Sequence, residues 1–204
     1  MNLLCAIVTC GAPLSTPARV LVSAVLAGAL TAANGSLSFG APPSDDDSAH
    51  HARHVRYLTA RIAEVADFAY TRSAAFRALV NSIEASDVIV YVEDGWCSHG
   101  IVPSCLRFQS ANGGVRYLRV DLRSRGSVIS VVAQLAHELH HANEIAGQPD
   151  VVDATTLRAF YAAIGFASCN RSVGECWETR GAADSERIVR EEVRTRSSIA
   201  ALRP

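Results

Sequence analysis

Residues 137–141 of this chain read His-Glu-Leu-His-His, and the spacing of His137 and His141 constrains the fold more than any other feature. Four residues is just over one helical turn, so the two imidazoles leave the same face of a helix and can share one metal ion. Glu138 sits about 100° around that helix, where its carboxylate can take a proton from the metal's water. The segment before it, 127–136, is apolar enough to be a buried helix. The spacing predicts a helix over Val128–Ala146, stopped at Gly147, with Pro149 preventing continuation. A chain built around such a helix must bury it and bring at least one further ligand to it from elsewhere.

At these residues the chain resembles the HExxH zinc metallopeptidases, the zincins. More narrowly, 137–144 looks like the H-E-L-x-H-A-x-E of uncharacterised bacterial exported proteins with a zincin-like core, a resemblance running from about Ser73 to the C-terminus. The resemblance implies one zinc per chain and an α+β, mainly α, minimal zincin-like domain. In it a small antiparallel sheet packs on the HExxH helix. Catalytic zinc takes three protein ligands and leaves a position for water. The metzincin extension would need glycine at 144 and histidine at 147, and the chain has Glu144 and Gly147 there. Gluzincins use a glutamate from a later helix. Glu178, 37 residues after His141, fits as an opening residue of the final helix.

Other acids stay open as the third ligand. Glu144 shares the histidine face but lies two turns from His137, which suits it better to accept from a ligand imidazole N–H than to bind metal. Asp150, Asp153 and Glu175 are further candidates. His140 points off the ligand face, His99 lies in a Gly-rich, Cys-bounded loop, and His50, His51 and His54 offer no ligand geometry. Tyr117, Tyr161 and His99 could each stabilise an oxyanion, with nothing in their spacing to select one.

The 204 residues suffice for one domain with a real core. The net charge of −1 gives no electrostatic reason to expect nucleic acid or an anionic membrane as partner. Arginines and acids alternate over 185–196, as on a solvated helix face. Near the N-terminus, 20–33 is a run of small and apolar residues preceded by Arg19 and ending in Thr31-Ala32-Ala33. This pattern predicts a signal peptide over 1–33, cleaved near Ala33, with an uncleaved membrane anchor as the alternative. A flexible linker follows over 34–50, and the catalytic domain over 51–204. Cys97, Cys105, Cys169 and Cys176 remain after cleavage, and Cys97–Cys105 with Cys169–Cys176 is the simplest disulfide pairing.

Between the linker and the metal helix, the apolar positions Val55, Leu58, Ile62, Val65 and Phe68 predict a helix over 51–70. Ser73 caps a second over 74–85. Residues 87–93 and 115–122 read as two antiparallel strands, with arginines outward on the second and a turn at Asn112-Gly113-Gly114. Asp153 or Thr155 caps a helix over 156–164, and the last helix runs from about Trp177 to Leu202.

The expected activity is that of an exported zinc-dependent peptidase acting on a peptide or protein, with Glu138 as general base and His137, His141 and Glu178 as ligands. No stable membrane association is expected after signal cleavage. The alternative is a non-catalytic zincin-like domain that binds metal or a partner.

Overall fold

A computed structural model describes residues 6–7, 54–97, 102–168 and 176–201, with side chains over 54–97, 102–168 and 176–196. Its framework is α+β and mainly helical, as expected. Strand β1 (Ala6–Ile7) is followed by β2 (Val55–Tyr57), α1 (Ala60–Arg72), α2 (Ala74–Glu84), β3 (Val88–Asp94), β4 (Ser104–Asn112) and β5 (Val115–Leu122). Then come α3 (Val128–Ala146), α4 (Ala154–Ile164), β6 (Phe166–Ala167), β7 (Cys176–Glu178) and α5 (Arg180–Ala201).

The main sheet has the order β2-β3-β5-β4. It is mixed rather than purely antiparallel: β3 runs parallel to both β2 and β5, and only the β4–β5 hairpin is antiparallel. The two strands read from the sequence are therefore parallel neighbours. The strand that makes the hairpin is β4, which the apolar pattern did not reveal. A bulge between Phe108 and Ser110 breaks its alternation. The turn itself is as read, with Gly113 and Gly114 at φ of 60° and 79°, a conformation that suits glycine.

The helix expected from residue 51 begins only at Ala60, behind the N-cap Thr59, whose side chain accepts from the Ile62 N–H. Val55–Tyr57 instead adds a short parallel strand beside β3, where β-branched and aromatic residues fit. Ser73 caps α2 through the Phe76 N–H, and Asp153 caps α4 with a full capping box. Helix α3 spans Val128–Ala146, as its pattern predicts, and is buried along most of its length.

Leu118, Val120 and Leu122 of β5 and Val88, Val90 and Val92 of β3 join α1, α2 and α3 in one core, which α5 completes through Val189 and Val193. Arg116 shares the inward parity of Leu118 and is itself buried, so it does not face outward. It reaches the C-terminal end of α3, donating to the carbonyls of Ile145 (2.7 Å) and Gln148 (2.6 Å) while pairing with Asp87 at 2.5 Å. Two carbonyls at the C-terminal end of α3, those of Ile145 and Ala146, are thus satisfied from the sheet.

Candidate metal centre

Helix α3 places His137 and His141 on one buried face, 1% and 0% exposed, with ring centroids 4.9 Å apart. The third group arrives from β7. Glu178 is the last residue of that three-residue strand and does not open the final helix as expected; α5 begins two residues later. The strand pairs antiparallel with β6, Phe166 opposite Glu178, and with β1, Ala6 opposite Trp177; β1 lies within the 1–33 segment expected to be a cleaved signal peptide, so only the β6 pairing would outlast cleavage. Gly165 permits the β6–β7 approach, since a Cβ there would stand 2.8 Å from the Glu178 carbonyl oxygen and 2.9 Å from that of Tyr161.

Glu178 Oε2 lies 3.2 Å from His137 Nε2 and Oε1 lies 3.6 Å from His141 Nε2. One ligand atom from each of the three residues falls within 4.8 Å of the others. The short distance to His137 is not a hydrogen bond in its angles, for both ring nitrogens of His137 and Nε2 of His141 are buried without an aligned partner. Buried polar atoms that converge without bonding one another are what a shared cation would satisfy. Two imidazoles and a carboxylate are a donor set that several divalent transition-metal ions take, zinc and iron(II) among them. Within the described residues, His137, His141 and Glu178 fit a metal ion.

Outer contacts orient each ligand. His141 Nδ1 lies 2.9 Å from Glu144 Oε2, while Glu144 Oε1 accepts from Thr179 Oγ1 at 2.7 Å. Glu144 therefore supports His141 from behind. Tyr161 stacks edge-on against His141 and donates to the His141 carbonyl at 3.1 Å. Thr179 also accepts from the Ala182 N–H, and its own N–H donates to Glu178 Oε1 at 2.7 Å. One threonine thus ties the start of α5 to both acids. His140 hydrogen-bonds Ser185 of α5 through Nδ1 at 2.8 Å and lies 3.4 Å from Glu144 Oε1 through Nε2, off the ligand face.

Two participants escaped the sequence reading. Glu186 lies 3.4 Å from His137 Nδ1 and is only 7% exposed, held by Arg190 one turn on. It belongs to a stretch read as solvated, yet Ala182, Glu186, Val189 and Val193 recur at helical spacing and form the inward face of α5. Ser104, at the start of β4, donates to Glu138 Oε1 at 2.7 Å. Its strand was not recognised, so no sequence signal pointed to it.

The electrostatics follow from this packing. Burial works to lower the His137 pKa, but Glu178 and Glu186 beside it raise it to about 10. Burial likewise works to raise Glu178, and the two histidines bring it down to about 2. Burial lifts the Glu138 carboxyl above its ordinary value. Glu144 is held far below its ordinary value, against its burial, by His140 and His141.

The remaining candidates sit elsewhere. Asp153 is consumed as the α4 cap, and Asp150 is exposed. Tyr117 lines a groove with Tyr91 and Arg119 on the sheet face opposite the core. Tyr161 has its hydroxyl committed to a backbone carbonyl. His54 contacts the Ile83 carbonyl, far along the chain from the site. His50, His51, His99, Cys169, Glu175 and the 20–33 run lie outside the described residues.

Cys97 and Cys105 form the expected disulfide. Cys176 is also disulfide-bonded, to a partner outside the described residues. Among the described residues no helix is long and apolar enough to cross a membrane. Compared with family models, curated proteins and solved structures, the chain matches none.

Proposed function

We propose that this chain is an exported zinc-dependent peptidase, with His137, His141 and Glu178 holding the metal and Glu138 acting as general base. A zinc ion bound there would polarise a scissile carbonyl and make its water acidic. The observation that carries the reading is Glu138. It lies next to a metal ligand on α3, is fully buried, and has one carboxylate oxygen, Oε2, without a partner. A site that only held metal would need the histidines and Glu178 but not the further buried acid Glu138. Oε2 is the atom positioned to receive a proton, and the same atom can return it to the leaving amine. Glu144 holds the His141 imidazole in its ligating orientation, and Glu186 lies behind His137 at 3.4 Å from Nδ1.

A closed metal site without catalysis is the second reading, favoured by the near-complete burial of His137, Glu138 and His141. Glu138→Gln separates the two. Zinc-loaded wild type should hydrolyse an unfolded protein such as casein. The Gln variant should bind zinc equally well and lose at least about a hundredfold in turnover, as expected when a general base is removed. No hydrolysis by wild type would decide for the second reading, and equal hydrolysis by the two proteins would remove Glu138 as the base. Export is tested on material made in a secreting host. Mass spectrometry should find an N-terminus near Asn34, and an intact cytosolic chain would refute that part.

A further inference from the structure

Ser104 begins β4 where this strand passes the metal helix. Its side chain is fully buried, as is Glu138, and its Oγ donates to Glu138 Oε1 at 2.7 Å while Oε2 has no partner. The terminal torsion of a glutamate is broad and twofold, so a carboxylate with no fixed partner presents either oxygen in several orientations. One strong hydrogen bond from a hydroxyl to an ionised carboxylate removes that freedom.

Ser104 is itself held firmly. It stands opposite Leu122 in the β4–β5 register, and the next residue, Cys105, is tied to Cys97 by the disulfide. Just before it, the Pro103 carbonyl accepts from the Arg123 N–H at 2.9 Å. The hydroxyl is thus presented from a braced strand end, and its hydrogen bond goes to Glu138 rather than to His137, His141 or Glu178.

We propose that Ser104 is a positioning residue: it anchors one oxygen of Glu138 so that the other is presented to the reacting centre. The inference rests on the peptidase reading only in giving Glu138 the role of base. A merely structural serine would satisfy a buried acid, and its loss would affect folding and metal binding together. A positioning serine affects turnover and the carboxylate's orientation and leaves metal binding alone.

The test uses the zinc-loaded full chain as wild type, Ser104→Ala, and the matched pair Ser104→Thr and Ser104→Val. Threonine keeps the hydroxyl, and valine has nearly its shape without it. Three quantities are read: zinc affinity by chelator competition, kcat and KM on casein, and the Glu138 conformation in crystals. For Ala and Val, kcat should fall by about tenfold or more, within the range general-base catalysis contributes. KM and zinc affinity should stay within about twofold, and the Glu138 carboxylate should be rotated or split between orientations. Threonine should restore kcat and the single orientation. Should the Ala variant not fold, the Thr–Val comparison carries the same contrast.

A Val or Ala variant whose Glu138 keeps the wild-type orientation overturns the proposal. So does a loss of zinc affinity in step with turnover. If wild type fails to hydrolyse casein, or Glu138→Gln hydrolyses it equally, the peptidase reading fails, and the crystallographic comparison still decides whether Ser104 orients Glu138.

Discussion

Glu178 and Glu144 both approach His141, and they differ in which ring nitrogen they face. Glu178 lies on the Nε2 side, toward His137, while Glu144 contacts Nδ1 from the far side. An imidazole that binds metal through Nε2 uses Nδ1 to fix its tautomer, so the two acids have different consequences. Glu144→Ala should weaken zinc binding by about tenfold to a hundredfold, the range for lost outer contacts. Glu178→Ala should weaken it well beyond that, and chelator-competition titration of both variants checks the order. A reversed order would transfer the ligand role to Glu144.

The protonation of His137 supplies a second prediction. With its pKa raised to about 10, the ring is protonated at neutral pH when no metal is bound. Its pairing with Glu178 and Glu186 therefore contributes stability below the unfolded histidine value, and this is lost as pH rises through about 10. Metal ligands must be deprotonated, so zinc loading at pH 7 should release at least one proton and tighten as pH increases. Calorimetry in buffers of different ionisation enthalpy measures the release; identical heats would contradict it.

His137 and His141 were legible from their helical spacing, and Glu178 was one of several acids the sequence left open, singled out by a family resemblance; the fold brings these three together. Glu186 was hidden by the mixed charges around it, although its parity with Val189 and Val193 marked it as inward. Ser104 was illegible for a different reason: a serine hydroxyl has no pattern of its own, and its strand carries a bulge.

Among the elements, β7 is the least expected and the most consequential. Three residues with no helical or alternating signal of their own become a strand because β6 pairs with Trp177 and Glu178, a pairing that cleavage near Ala33 would keep while removing that of β1. Trp177 and Glu178 therefore precede the last helix, and the sheet pairing sets the Glu178 backbone. Gly165→Ala should push on the Glu178 carbonyl and weaken zinc binding on the order of tenfold, like the loss of an outer contact, with a smaller effect on thermal stability. Unchanged affinity would show that the strand absorbs the displacement.

Helix α3, by contrast, was readable to the residue, since Ser127 and Gly147 bound a continuous apolar pattern. What the pattern did not disclose is that Arg116 completes its C-terminal end. Arg116→Ala should cost about 2–3 kcal/mol, the range for losing hydrogen bonds from a charged donor to buried acceptors, readable by urea unfolding. Asp87, its half-exposed partner, is held below its ordinary pKa chiefly by the Arg116 hydrogen bond. Its contribution is present above the unfolded value and lost as pH falls through the folded one.

At the level of the whole molecule, the fold converges on one place. Strand β4 brings Ser104, α3 brings both histidines and Glu138, β7 brings Glu178, and α5 brings Thr179's neighbours and Glu186. The helical, mixed α+β class could be inferred from element order. Whether the strands ran parallel could not, because β5 inserts between β3 and the unrecognised β4. The parallel β3–β5 pair arises because the hairpin partner β4 lies on the far side of β5, whereas the parallel β2–β3 pair is joined by the crossover of α1 and α2.

The donor set offers the most direct check. Zinc content and the zinc-edge X-ray absorption spectrum should be measured together on the purified wild-type chain, loaded with zinc and dialysed. The expected result is one zinc per chain with two imidazoles and light oxygen donors at about 2.0–2.2 Å. A sulfur shell near about 2.3 Å, or zinc well below one per chain, would contradict a centre built from His137, His141 and Glu178.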